Sequence, residues 1–245
     1  MTALAARAQL GVLTRRYWAV MLGDPLPLVF LVLQAPFIGW LCTLVWGSVE
    51  TETPSLYFVL CLSAVWFGLI NACREVVRER AIVERERIFG LSLLGYVGSK
   101  LGFLGVLAAV QVVLLQGAVE FQMNLKGAML VEMLALWGAA MVGTALGLLV
   151  SALAKRQASA VGAIPLLMLP QILFSEMALP AESFSDLVAA VERFMPVHWA
   201  FVVFQELAAL ETDGWRVVGA FLALPAMAAV FAGLTALALL RRQET

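Results

Sequence analysis

Polar residues are confined to a few short stretches of this chain, and the gaps between them form six long apolar runs: 26–47, 56–72, 96–119, 128–153, 158–174 and 217–240. A helix needs about 20 apolar residues to cross about 30 Å of hydrocarbon, so the pattern predicts six transmembrane helices. Residues 1–24 read differently. Arg7, Arg15 and Arg16 interrupt every apolar stretch there, which argues against a signal peptide. Their spacing among Leu10, Leu13, Trp18, Val20 and Met21 predicts an amphipathic helix along the membrane surface, ended by Asp24-Pro25. Most links between runs are short, but two are not. One is the charged interval 73–95. The other is 175–213, where Pro180, Pro196 and the apolar Leu187, Val188, Val191, Phe194 and Trp199 predict short helices dipping back toward the membrane.

Composition agrees with the pattern: 62% hydrophobic and 13% charged residues, with a mean hydropathy of +0.94, lie far from the balance of a soluble domain. Net charge is only −1, but its distribution is lopsided. With six spans and a cytoplasmic N-terminus, thirteen of sixteen Lys and Arg fall inside, leaving Lys126, Arg193 and Arg216 outside. The positive-inside rule then sets both termini in the cytoplasm. Glu50, Glu52, Glu120, Glu176, Glu182, Asp186, Glu192, Glu206, Glu211 and Asp213 fall on the opposite side. Cys42, Cys61 and Cys73 sit within or at the ends of spans, which is no disulfide framework.

Catalytic chemistry is hard to build from these residues. The glycines and lysine of Gly95-Tyr-Val-Gly98-Ser-Lys100 have neither the spacing nor the following hydroxyl of a phosphate-binding loop. His198 is the single histidine, and no cysteine pair has metal-ligand spacing, so no metal site is expected. The chain reads as a non-catalytic membrane subunit. Ala139, Gly143, Gly147 and Ser151 recur every fourth residue on the fourth run, the spacing that lets helices approach closely. Pro165 and Pro170 should kink the fifth. Glu132 would cost about 2.5–3.5 kcal/mol at the bilayer centre, so it is expected near the interface with a polar partner in the bundle.

The segment 74–87 concentrates nine charges, Arg74, Glu75, Arg78, Glu79, Arg80, Glu84, Arg85, Glu86 and Arg87. Helical spacing pairs Arg80 with Glu84, Glu75 with Arg78 and Glu84 with Arg87, and puts Val77, Ala81 and Ile88 on one face with Ile82 and Phe89 beside it. A solvated surface helix would explain the run. So many charges of both signs between two spans point instead to a docking surface for a protein. The near cancellation of charge argues against nucleic acid or anionic lipid as the partner of that surface.

Two groups of residues carry a family resemblance. Glu79-Arg80, Arg85-Glu86, Gly90, Tyr96 and Lys100 resemble the "ER…RE…G…Y…K" stretch that follows the second membrane helix in the G subfamily of ABC transporters and in bacterial type-2 ABC permeases. Phe174-Ser175, Pro180, Pro196, Phe201 and Gln205-Glu206 are similar to that family's "FSG…P…F…NE" segment. The resemblance spans the chain as a single type-2 permease domain, 1–245. It implies an all-α membrane protein of six transmembrane helices with an N-terminal amphipathic connecting helix (1–24), a cytoplasmic coupling helix (74–90) and external re-entrant helices (175–213). It implies that the nine charged residues, with Arg15 and Arg16, form the interface to an ATPase on a separate chain, present in two copies and carrying ATP and Mg. A second permease copy or a paralogue completes a twelve-span dimer, surrounded by membrane lipid.

The same resemblance suggests a substrate pathway. Trp66 falls where multidrug members carry a stacking phenylalanine, with Ser63 one turn away. Leu169 and Ile172 match cavity-lining positions, and Met177-Ala178 the leucine pair that plugs the cavity toward the outside. Glu176, where glycine is usual, and the weaker plug depart from the family pattern. The implied function is ATP-driven export of a hydrophobic or amphipathic solute by alternating access. In the alternative, the chain is a scaffold or mechanotransmitter that acts on an external or periplasmic protein through 176–213 without transport. An ion-coupled carrier is weaker still, since such carriers place paired ionisable residues near the midplane. Abundant Ala, Leu and Val with three lysines fit a bacterial inner-membrane protein.

Overall fold

The computed structural model describes residues 3–49, 53–123, 128–178 and 185–241, with side chains from residue 9 onward. Glu50, Glu52, Lys126, Pro180, Glu182, Arg242 and the side chain of Arg7 lie outside the described residues. Those residues form ten helices: α1 (Ala3–Gly23), α2 (Pro25–Trp46), α3 (Pro54–Ala72), α4 (Glu75–Ile88), α5 (Leu93–Glu120), α6 (Met129–Leu153), α7 (Gln157–Leu173), α8 (Asp186–Glu192), α9 (Pro196–Ala208) and α10 (Gly214–Arg241).

Five of these, α2, α3, α5, α6 and α10, are long and apolar enough to cross a membrane. The expected fifth span, 158–174, forms α7, which at 17 residues reaches about 26 Å and is shorter than the rest. It runs through Pro165 and Pro170 as one helix although neither can donate a backbone hydrogen bond. α8 and α9 meet at 88°, so the pair enters and turns rather than continuing as one rod. The protein is thus an all-helical, multi-pass integral membrane protein.

The bundle is centred on α3, whose sides are buried along most of its length by α6, α5 and α9. Its closest neighbour is α6, and small residues explain why. A Cβ placed on Gly143 would lie 2.4 Å from the Val65 carbonyl oxygen, and one on Gly68 would lie 2.0 Å from that of Ala140. The two backbones touch, so neither position has room for a methyl group. The four-residue stripe read from the sequence is therefore a packing seam, and Ala139, Gly143, Gly147 and Ser151 are all buried in it. Outside this centre, α10 buries only Ala220, Leu224, Thr235 and Ala236 and leaves its other faces apolar and exposed.

α1 packs one side against the bundle. Leu13 and Tyr17 are buried against protein, and Tyr17 and Trp18 meet the ring of Phe103 on α5 edge-on, with centroids 5.0 and 4.7 Å apart. Aromatic pairs in this geometry are attractive beyond their buried area. Val20 and Leu22 still point outward.

Candidate functional site

The charged segment folds as a helix, as its spacing predicts, but its ends are made by particular residues. At its start, the hydroxyl of Ser151, the last member of the α6 stripe, accepts hydrogen bonds from the backbone N–H groups of Val76 and Val77 at 2.9 and 3.0 Å. Those are first-turn donors with no partner inside the helix. At its end, Gly90 adopts φ +90°, a left-handed conformation open to glycine without a Cβ penalty. Its N–H bonds to the carbonyl of Arg87 and that of Leu91 to Glu86, the paired pattern that closes a helix around a left-handed residue. Gln9 of α1 then holds the turn from both sides, donating to the Gly90 carbonyl and accepting from the Ser92 N–H. Ser92 in turn caps α5 by accepting from the Gly95 N–H.

Inside this frame, Lys100 is the centre of a buried polar knot. Its ammonium lies 2.7 Å from a carboxylate oxygen of Glu79 and 3.2 Å from one of Glu75, and 3.6 Å from the centroid of the Tyr17 ring. The Tyr17 hydroxyl donates to Glu75 and the Tyr96 hydroxyl to Glu79. Burial, and then the Glu75 carboxylate beside it, hold the Tyr17 phenol far above its ordinary pKa, so it stays protonated and remains a donor. Arg78 completes the balance by pairing with Glu75 at 3.2 Å, so two carboxylates face two cations. A pair this buried adds little net stability over an apolar core, but it enforces one arrangement. Glu75 draws α1, α4 and α5 together through a single carboxylate.

A second group of bonds ties α4 to the ends of other helices. Arg80 donates to the carbonyl of Ala154, just past α6, and Arg87 to that of Leu239 near the end of α10, at 2.8 Å. Basic groups at helix C-termini satisfy carbonyls that lack intrahelical partners and oppose the negative end of the dipole. Arg16 pairs with Glu86 across the α1–α4 contact, and that hydrogen bond raises the Arg16 pKa despite the cost of burial.

The geometry therefore divides the charged residues expected at a protein interface. Arg74, Arg78, Glu84 and Arg85 of α4 and Arg15 of α1 are exposed. Glu75 and Glu79 face inward, Arg80 and Arg87 reach helix ends, and Arg16 and Glu86 join two helices. Of the helix-internal pairs predicted, Arg78 with Glu75 forms. The apolar residues of α4 also sort differently from their pattern: Val76 and Val83 are buried, while Ile82, Ile88 and Phe89 are exposed. Lys100, dismissed as part of a failed phosphate loop, is buried at the centre; its place beside Tyr96 in the family pattern was the signal.

Farther into the bundle, Ser63 is buried and donates to the Val59 carbonyl at 2.7 Å, one turn from the half-buried Trp66 on the same helix. Leu169 and Ile172 are exposed on α7, opposite its buried stripe of Ile164, Met168 and Gln171, and Met177 and Ala178 are exposed in the turn that follows. Glu176 accepts from Gln205 of α9 at 3.0 Å. Glu132 is buried in α6 and accepts from Gln116 of α5 at 2.6 Å, the polar contact inside the bundle that its position required. Asn71 and Gln111 likewise bond each other at 2.6 Å. Among the described residues no group of three or more His, Cys, Asp or Glu could hold a metal ion.

The family comparison bears on this arrangement: residues 8–208 match the ABC-2 type transporter family. The chain belongs to that family. It is the membrane permease component of an ABC transporter, a class that works paired with an ABC ATPase subunit. No curated protein matches the permease.

Proposed function

We propose that this permease exports a hydrophobic or amphipathic solute, with α4 receiving the motion of a separate ATPase chain. The observation that carries this reading is the anchoring of α4: one 14-residue helix is bonded to α1, α5, α6 and α10 by side chains and presents Arg74, Arg78 and Arg85 outward. A push on the exposed side is delivered to the ends of several long helices together. Two permeases and two ATPases make the working unit, ATP and Mg are held by the ATPases, and the α1–α4 side faces the cytoplasm, in a bacterial inner membrane.

The way α3 is held supports alternating access. Its backbone is locked to α6, so the pair moves as one body and its displacement is taken up at the lightly packed α7. Trp66 on α3, one turn from Ser63, and Leu169 and Ile172 on α7 offer apolar surface to a solute. Met177 and Ala178 stand at the outward end of that route.

The test is reconstitution of the permease with its ATPase in inverted vesicles. ATP-dependent accumulation of an amphipathic dye is expected. Arg74→Glu with Arg85→Glu, which leaves the buried knot intact, should lower permease-stimulated ATP hydrolysis about tenfold, the effect of losing roughly 1.4 kcal/mol of coupling. Full stimulation in that variant rules out α4 as the receiving surface. Normal ATPase coupling without accumulation of any solute favours a scaffold that transmits force to an external protein.

A further inference from the structure

We propose that a cleft between α4, the start of α5 and the end of α10 binds the phosphate headgroup of an anionic glycerophospholipid from the adjacent leaflet. The cleft has a volume of about 490 Å³, within the range of small-molecule sites. Arg80 and Arg87 line one side, and Val83, Leu93 and Leu239 form an apolar wall. Among the described residues Glu84 is the one acidic side chain lining it, beside the two guanidinium groups.

Four observations favour a lipid over a protein or a free ion. The two arginines are held in place, because each is bonded to a helix-end carbonyl. The Arg87 bond to Leu239 occupies one of the five N–H donors a guanidinium has. The cleft lies where α5 begins and α10 ends, the level at which phosphates sit beside a transmembrane helix. Its lining is otherwise apolar, with Val83, Leu93 and Leu239 within and the exposed Ile88 at the lip, which gives the start of an acyl chain a surface that a soluble anion would not use. Basic pockets between membrane helices on one side of a bilayer suit anionic headgroups for this reason. The positive end of the α5 dipole, at Leu93, adds to the attraction.

This site is lined by Arg80 and Arg87 and not by the exposed Arg74, Arg78 and Arg85, and it does not depend on what the permease exports. A bound lipid would bridge α4 to α10 beside the Arg87–Leu239 bond, so the lipid composition of that leaflet would set how firmly the two helices are joined.

The experiment takes the full-length permease from vesicles of phosphatidylcholine and phosphatidylglycerol, removes bulk lipid in detergent, and counts retained lipid by native mass spectrometry. Preferential retention of phosphatidylglycerol is expected. Arg87→Gln should weaken it about fivefold, in line with one basic group near an anionic surface. Ile88→Trp, which keeps both arginines and fills the mouth at an exposed position, should also reduce it with an unchanged unfolding midpoint. Equal retention of the two lipids, or unchanged retention in Ile88→Trp, overturns the proposal. So does binding of inorganic phosphate without retained phosphatidylglycerol, which marks a free-anion site, or release of the lipid on adding the ATPase subunit, which marks a protein-docking cleft.

Discussion

Lys100 shows how one residue can hold a charged helix at a membrane surface. Glu75 and Glu79 are close neighbours on one face of α4, and their carboxylates share the same ammonium. Replacing it with methionine leaves two carboxylates facing each other with little water. Lys100→Met should destabilise the permease by about 3 kcal/mol, seen as a lower unfolding midpoint in detergent. Adding Glu79→Gln should recover part of that loss, because one of the stranded charges is removed; no recovery would mean that the lysine acts by packing alone. Little of this was legible beforehand. Helical spacing pairs charges within α4, but Lys100 lies in the next helix, and periodicity says nothing about partners on a different element. The phosphate-loop test asked what the lysine would hold and not what would hold it.

At the scale of elements, the sequence was most informative where physics is local. The apolar runs located the long helices to within a few residues, since hydrocarbon thickness sets their length. The small-residue stripe of α6 announced a close neighbour without naming it, and the neighbour is α3. Gly143→Ala should therefore cost about 2 kcal/mol or more, because the new methyl meets the backbone of Val65, which cannot rotate away. Thermal unfolding of the detergent-solubilised variant checks this, with Gly162→Ala on α7, where a Cβ meets nothing within 4 Å, as the control that should be nearly silent. The end of the stripe packs as expected and has a second role as well. Ser151 has the size of a packing residue, but its hydroxyl serves the first turn of α4, a long-range bond that spacing does not encode. The packed side of α1 was not legible for a related reason. Tyr17 counts as polar in a membrane-surface pattern, whereas here its ring packs on Phe103 and its hydroxyl is spent on Glu75.

For the whole molecule, the open question is what covers α7. Its inner stripe packs on the bundle, while Leu166, Leu169 and Ile172 face outward from a helix shorter than the other spans. If the second permease of the working unit covers that face, a cysteine at Leu169 should form a disulfide-linked dimer under mild oxidation in the membrane. Cys42, Cys61 and Cys73 are all buried, so the background should be low. A cysteine at Leu222 of α10, also exposed but on a helix away from that face, should then remain monomeric. Crosslinking at Leu222 and not at Leu169 would move the dimer axis to the other side of the bundle. No pattern in a single sequence distinguishes a face turned to lipid from one turned to a second copy, since both are apolar.

The contact between α1 and α5 also bears on how the permease is made. Leu13, Tyr17 and Trp18 emerge from the ribosome before Phe103 and Lys100, which receive them and follow only after α2 and α3 have been synthesised. During that interval the N-terminal helix has no protein surface to rest on. The bilayer interface is the natural waiting place for such a segment, so the amphipathic character read in residues 1–24 describes an assembly intermediate as well as the finished fold.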